Sequence, residues 1–201
     1  RCYGVPRKIR GQERGVLLHW RHRLCNHCQI GRAISTELSF FVPDFDNSDF
    51  AIHAITDMEF LCIVMDMDEN DKKAHAACHT TLPLFAAFSE CREYTQDCKG
   101  PHTRSWHVLY RGEVGRCIMG VVKAVGEGTV EKGHPAVDQW NYGLDNADFV
   151  LDVDGEKVPH YMGDFSFVPA GLDHSLTAQP GKEVAYIWIE RFVKTLHTEE
   201  D

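Results

Sequence analysis

The sequence has 201 residues, of which 43% are hydrophobic and 25% charged, and this balance is typical of a globular chain that buries one core. No apolar run reaches the ~18 residues that a membrane-spanning helix needs, so no membrane partner is expected. The net charge of -9 argues against a nucleic-acid-binding body, because surfaces that bind nucleic acids are basic.

The first 32 residues differ in charge from the rest of the chain. They hold eight Arg or Lys residues and one acidic residue, Glu13, although the whole chain is acidic. We interpret residues 1–32 as a basic arm, which either folds against the acidic body or contacts an anionic partner such as nucleic acid. The first of these alternatives is favoured.

Cysteine usage indicates the compartment. The chain has eight cysteines, and their spacings show no repeating framework of the kind found in small disulfide-rich secreted domains. Free thiols and a cytoplasmic location are therefore expected.

Residues 33–100 have a mixed α/β pattern. The acidic stretch DMDENDKK (66–73) favours the start of a helix, since acidic side chains stabilise helix N-termini. The Ala-rich stretch that follows has helical composition and is interrupted by Pro83, which predicts helices over about 71–95. We expect this N-terminal extension, residues 1–100, to precede a separate barrel domain.

After residue 100 short apolar segments alternate with Gly, Pro, Asp and Asn. Asp154-Gly155 is a strong hairpin signal. About eight short antiparallel strands indicate one jelly-roll β-barrel over residues 101–195. The predicted fold class is therefore mainly β with an N-terminal helical extension. The predicted strands are 104–110, 114–124, 138–144, 148–153, 157–161, 164–168, 174–178 and 183–192.

Two motifs lie within this region. In MGDFSFVPAGLDHSL (162–176), Gly163, Pro169, Gly171 and His174 match the second signature motif of the cupin superfamily. Upstream, GEGTVEKGHPAVDQWNYGLDN (126–146) resembles the first cupin motif in a degraded form. The chain resembles the cupins over about residues 104–192, and the resemblance implies a cupin β-barrel that forms a homodimer.

The resemblance also implies metal ligands. Lys132 and His134 occupy the two histidine positions of the first motif, and either Asp138 or Gln139 fills its glutamate position. Adjacent strand residues point to opposite faces, so only one of these two is expected inside the barrel. His134, His174 and either Asp138 or Gln139 would together hold a divalent metal ion. Two imidazoles and one carboxylate favour Fe(II), with Mn, Zn or Ni as alternatives.

Other residues near the motifs are candidates for the chemistry. Lys132 either marks a three-ligand site or replaces the metal with a fixed positive charge for an anionic substrate. Tyr142 and Tyr161 are candidate acids or bases, because a phenol near a metal can transfer a proton. The candidate substrate-binding residues are Trp140, His160, Phe165 and Phe167.

The resulting hypothesis is a metal-dependent cupin enzyme that acts on a small polar metabolite, with a non-haem Fe(II) dioxygenase-type reaction favoured. Metal-dependent lyase, hydrolase or isomerase chemistry is the first alternative, and residues 137–193 also resemble one lobe of the ureidoglycine aminohydrolases. The second alternative is a non-catalytic, ligand-binding cupin with a decayed metal site. Lys132 in a histidine position suggests this alternative.

Overall fold

The computed structural model describes residues 16–22, 30–44 and 48–194. These residues form one α-helix and fifteen strands, so the prediction of a mainly β fold is confirmed. The elements in chain order are β1 (Val16–His22), β2 (Ile30–Ser35), β3 (Ser39–Val42), β4 (Ser48–Ala54), α1 (Glu69–Cys78), β5 (Leu84–Ala87), β6 (Arg92–Tyr94), β7 (Arg104–Val114), β8 (Cys117–Val125), β9 (Gly128–Glu131), β10 (Val137–Gly143), β11 (Asp148–Val153), β12 (Glu156–Tyr161), β13 (Phe165–Val168), β14 (His174–Thr177) and β15 (Glu183–Phe192).

The chain divides into two compact units, the first of which comprises the described residues up to 66 together with 81–91. In this unit β1 lies between β2 and β4 in an antiparallel sheet, and β3 pairs with β5. The interpretation of residues 1–32 as an arm is therefore corrected for β1 and β2, because long-range strand pairing holds them. Residues 1–15 and 23–29 of the predicted arm lie outside the described residues.

The second unit comprises residues 67–80 and the described residues from 92 onward. Its strands form two sheets, in the orders β13-β10-β15-β8-β7-β6 and β12-β11-β14-β9, and their ladders are antiparallel. The predicted jelly-roll barrel is thereby confirmed. Its apolar core consists of Val122, Ala124, Ala147, Phe149, Leu151, Val168, Leu176, Val184, Tyr186 and Trp188.

Within residues 101–195 the predicted strands all have observed counterparts, but one observed strand there was not predicted. Asp154 and Gly155 both have positive φ, as the hairpin between β11 and β12 requires. The unpredicted strand is β9, which pairs with β14 along its whole length. β9 carries the residue that completes the candidate site described below.

The helical part of the prediction is only partly correct. Helix α1 begins after Asp68, whose side chain accepts hydrogen bonds from the backbone N–H groups of Asn70 and Asp71, as acids at a helix N-terminus do. The predicted continuation to residue 95 is wrong, because β5 instead pairs with β3 and β6 pairs with β7. Strand partners distant in sequence override the helical propensity of the Ala-rich stretch. Within the described ranges, no helix is long and apolar enough to cross a membrane.

Candidate metal centre

Strand pairing brings the first two donors of the site together. Glu131, the last residue of β9, lies directly opposite His174, the first residue of β14. Cross-strand partners share one face of a sheet, with their Cβ atoms about 5 Å apart. His174 is 4% exposed and Leu176, two residues further on, belongs to the core. Both donors therefore point into the space between the two sheets.

The third donor, His134, is positioned by contact between two loops. The backbone N–H of Gly133 donates to Asp173 Oδ1 at 2.7 Å, and the N–H of Gly171 donates to the carbonyl of His134 at 3.1 Å. A Cβ atom on Gly133 would lie 2.1 Å from the carbonyl oxygen of Gly171, so only glycine permits this approach. The second motif thus holds the first motif in place.

The donor atoms converge on one point. His134 Nε2 lies 3.6 Å and His174 Nε2 3.9 Å from Glu131 Oε2, and the ligand atoms of all three residues lie within 4.8 Å of one another. Glu131, His134 and His174 can therefore hold a metal ion. Two imidazoles and a carboxylate suit Fe(II), Mn(II), Zn(II) or Ni(II).

Hydrogen bonding supports this assignment. His174 Nδ1 lies 3.2 Å from the carbonyl of Leu172, which makes Nδ1 the donor nitrogen and leaves the lone pair on Nε2. Within the described part of the chain, neither His174 Nε2 nor either ring nitrogen of His134 has a hydrogen-bond partner, although all three are buried. Buried polar atoms without a partner are costly, and a metal ion would satisfy one ring nitrogen of each histidine.

The charged groups around the site shift the pKa values of its donors. Burial raises the pKa of Glu131, but His134, Lys99 and His174 together lower it below its usual value. The interaction with Glu131 raises the pKa of His134. Glu190, whose Oε1 lies 3.9 Å from His134 Nε2, has its pKa raised to about 7, chiefly by burial. A charged carboxylate thus faces two imidazoles, with a second carboxyl group beside them.

The structure separates the two candidates for the glutamate position. Along β10, Val137, Gln139 and Asn141 are buried and the intervening residues are half-buried, so Gln139 faces the interior and Asp138 does not. Gln139 pairs in register with Glu190, and its Oε1 is a buried atom without a partner among the described residues. Asp138 Oδ1 instead accepts a hydrogen bond from the backbone N–H of Ala170. Asp138 does not belong to the group of three donors that could hold a metal ion.

Most of the aromatic candidates lie outside the barrel interior. Phe165 and Phe167 are 55% and 48% exposed, and Trp140 packs against Phe167 with ring centroids 5.2 Å apart. Tyr142 alternates with the buried residues of β10 and is half-buried on the same side as Trp140. Tyr161 is 51% exposed. The structure does not bring these five residues to the donor group.

The two remaining candidates are also separate from the donors. Lys132 is exposed, because it follows the inward-facing Glu131 and points the other way. His160 is buried in the barrel, where it stacks on Phe149 with ring centroids 4.7 Å apart and its Nε2 lies 3.1 Å from Ser166 Oγ. His160 thus has the contacts of a core residue.

Sequence reasoning missed Glu131 and Glu190. Glu131 directly precedes Lys132, and the motif resemblance assigned the histidine position to the lysine. A strand pattern in GTVE would have placed Glu131 on the same face as Thr129, two residues earlier. Glu190 had no motif signal, and only its pairing with Gln139 reveals it.

The two antiparallel sheets form a jelly-roll barrel, and solved structures similar to this chain include a cupin 2 conserved barrel domain protein from Rhodopseudomonas palustris and a cupin-2 domain from Rhodospirillum rubrum. A predicted oxalate decarboxylase from Thermotoga maritima is 14% identical over 52% of this chain and 96% of its own, with a TM-score of 0.45. KdgF from Halomonas sp. is 19% identical over 51% and 88%, with a TM-score of 0.41. The polyketide cyclase RemF from Streptomyces resistomycificus is 12% identical over 58% and 85%, with a TM-score of 0.45.

At these identities the likeness concerns the fold alone. A scan against protein-family models and a search of curated proteins found no match. The chemistry of the site is therefore read from the residues of this chain.

Proposed function

We propose that the barrel is a metal-dependent enzyme that acts on a small polar metabolite. The observation that carries this proposal is the convergence of Glu131, His134 and His174 within 4.8 Å, with buried ring nitrogens that have no other partner among the described residues. Three protein ligands leave coordination positions open, as catalytic rather than closed structural sites do.

The proposed reaction class is oxidation with O2, and the proposed metal is Fe(II). Two histidines and one carboxylate form the facial triad typical of non-haem Fe(II) oxygenases. When bound, such an ion supplies redox or Lewis-acid chemistry at its open positions. The chain itself supplies the ligands, the apolar core of the barrel, and the Gln139 side chain as a neutral neighbour that adds no charge.

A metal-dependent lyase, hydrolase or isomerase is the second candidate. The Glu190 carboxyl group, half-buried and 3.9 Å from His134, favours it. A carboxyl group beside bound substrate can accept or donate a proton, which these reactions require. Mn(II), Zn(II) or Ni(II) would serve such a reaction as well as Fe(II).

Metal analysis tests the proposal. Protein purified without oxygen and supplied with Fe(II), or separately with Mn(II), Zn(II) or Ni(II), is expected to retain stoichiometric metal after gel filtration. His174→Ala and Glu131→Gln should weaken retention about tenfold or more, since each removes a ligand. Glu156→Gln, at an exposed position of β12, is the control and should retain metal like the wild type.

Two outcomes decide between the functions. A folded wild type that retains none of these metals would contradict the enzyme proposal and support a ligand-binding cupin with a decayed site. If Fe(II) is retained, O2 uptake with a panel of small polar metabolites separates the classes. Turnover without O2 uptake would favour the lyase, hydrolase or isomerase.

Two further expectations from the sequence stay predictions. The homodimer that the cupin resemblance implies is tested by light scattering on the purified chain. The cytoplasmic location is tested by fractionation of the source cells.

A further inference from the structure

A short segment before the barrel adds a cation to the candidate metal centre. The backbone N–H of Val130 donates to the carbonyl of Cys98 at 3.0 Å, and that of Gly100 donates to Gly128 at 3.0 Å, so residues 98–100 extend the sheet beside β9. Lys99 forms an antiparallel bridge with Thr129. Bridged residues share a face, and Thr129 is fully buried inside the barrel. The Lys99 side chain therefore enters from the same face as Glu131.

Lys99 is unusual in its burial and in its contacts. Its side chain is 5% exposed, and Nζ lies 4.0 Å from Glu131 Oε1 and 5.6 Å from the centre of the Tyr94 ring. A distance of 4.0 Å is too long for a hydrogen bond. Nζ therefore pairs with Glu131 by charge and not through a hydrogen bond.

Metal binding at Glu131 would leave the positive charge of Lys99 less well balanced. A Glu131 carboxylate that ligates a metal shares its charge with that ion, and less of it remains to balance Lys99. The site would then hold a metal ion and an ammonium group side by side, both facing the interior. A small anion that contacts both would balance their charges.

We propose that Lys99 binds the carboxylate group of the substrate, and this inference rests on the proposed metal-dependent function. A carboxylate fits better than a phosphate for two reasons. Glu190 lies close by and would repel a second negative charge. One lysine also supplies a single point charge, whereas phosphate recognition favours a bidentate arginine or several backbone N–H groups. The substrate class is thus a small carboxylate.

Co(II)-loaded protein tests this assignment, because the visible spectrum of Co(II) reports ligands at its open positions without any turnover. Acetate is the probe, acetamide is its uncharged counterpart, and inorganic phosphate is the competing anion. Acetate is expected to change the wild-type spectrum in a saturable way, and acetamide and phosphate are not. Lys99→Met should weaken acetate binding about tenfold or more, since it removes a charge-assisted hydrogen bond.

Control variants make the result specific. Lys157→Met removes an exposed lysine, 69% exposed, and should bind acetate like the wild type. Lys99→Arg keeps the positive charge and should retain more acetate affinity than Lys99→Met. If Lys99→Met does not fold, Lys99→Arg serves as the test variant. Because this variant retains the positive charge, we expect it to bind acetate, and excess acetamide should not displace the bound acetate.

The outcomes separate the two proposals. Equal acetate affinity in Lys99→Met and the wild type, or equal responses to acetate and acetamide, would overturn the role of Lys99 and leave the metal centre standing. A stronger response to phosphate than to acetate would overturn the carboxylate assignment. A wild type that takes up no Co(II) would overturn the metal proposal and this inference with it.

Discussion

At the scale of single residues, the face of the sheet on which a side chain lies decides whether it belongs to the candidate metal centre. Glu131 faces the barrel interior and Lys132 is exposed, because successive strand residues point to opposite faces. The motif resemblance selected Lys132 and thereby suggested a decayed site. The structure places a carboxylate one residue earlier, so the donor set is richer than the motif indicates.

The same alternation leads to a prediction for Gln139 and Asp138. Gln139→Glu would place a carboxylate on the inward face of β10, across from Glu190. Metal affinity is expected to rise about tenfold, because an anionic ligand attracts the cation more strongly than an amide does. The metal-free variant should be less stable than the wild type, since the carboxylate is then buried beside another acid. Metal titration and urea unfolding measure both effects.

Asp138→Asn is the control for this experiment. Asn retains the oxygen that accepts the hydrogen bond from Ala170, and the side chain is on the other face of β10. Metal affinity should stay at the wild-type level. A large loss in Asp138→Asn, with none of the expected gain in Gln139→Glu, would restore Asp138 as the ligand.

At the scale of elements, the barrel could be predicted and most of the first unit could not. Strands β7, β8 and β10–β15 are bounded by Gly, Pro, Asp and Asn and show clear apolar runs. β9 has only four residues, which is too short to show a period of two, so Glu131 remained unrecognised. β5 was read as helix because its partner β3 lies more than forty residues earlier, and no local pattern reveals that pairing.

The contact between the two motif loops gives a prediction at this scale. Gly133→Ala would bring a Cβ atom within 2.1 Å of the carbonyl of Gly171, so the loop that carries His134 has to move. Unfolding free energy should fall by about 1–3 kcal/mol. Metal affinity should fall as well, because a displaced His134 no longer converges with His174 and Glu131.

A matched variant separates displacement of the ligand from general destabilisation. Gly155→Asn changes the β11–β12 turn, where a Cβ atom meets nothing within 4 Å and asparagine tolerates the positive φ. It should bind metal like the wild type. Wild-type metal affinity in a folded Gly133→Ala variant would show that the loop contact does not position His134.

At the scale of the whole molecule, the barrel is divided between an apolar core and a polar end. His160 lies among core residues, stacked on Phe149, and burial lowers its pKa below the usual value. Its substrate-binding role stays a prediction, and its contacts with Phe149 and Ser166 tie it to the stability of the barrel. His160 therefore links the pH of the solution to the stability of the metal-free fold.

The sign of this link follows from proton binding. The unfolded chain carries His160 with its ordinary pKa near 6.5, and the folded chain holds it with a lower pKa. Between the two values the unfolded state binds more protons, so the free energy of unfolding decreases as pH falls below about 6.5. The contribution of one histidine is at most about 1.4 kcal/mol per pH unit.

Urea unfolding of the metal-free protein between pH 7.5 and pH 5, that is from about one unit above the ordinary histidine pKa to well below it, measures this contribution. His160→Gln removes the titrating ring and should lose less stability on acidification than the wild type. The difference between the two proteins isolates His160, because His134, whose pKa is raised, is present in both. His102→Gln, at an exposed position, should follow the wild type. If His160→Gln loses as much stability as the wild type, His160 does not carry the acid sensitivity of the barrel core.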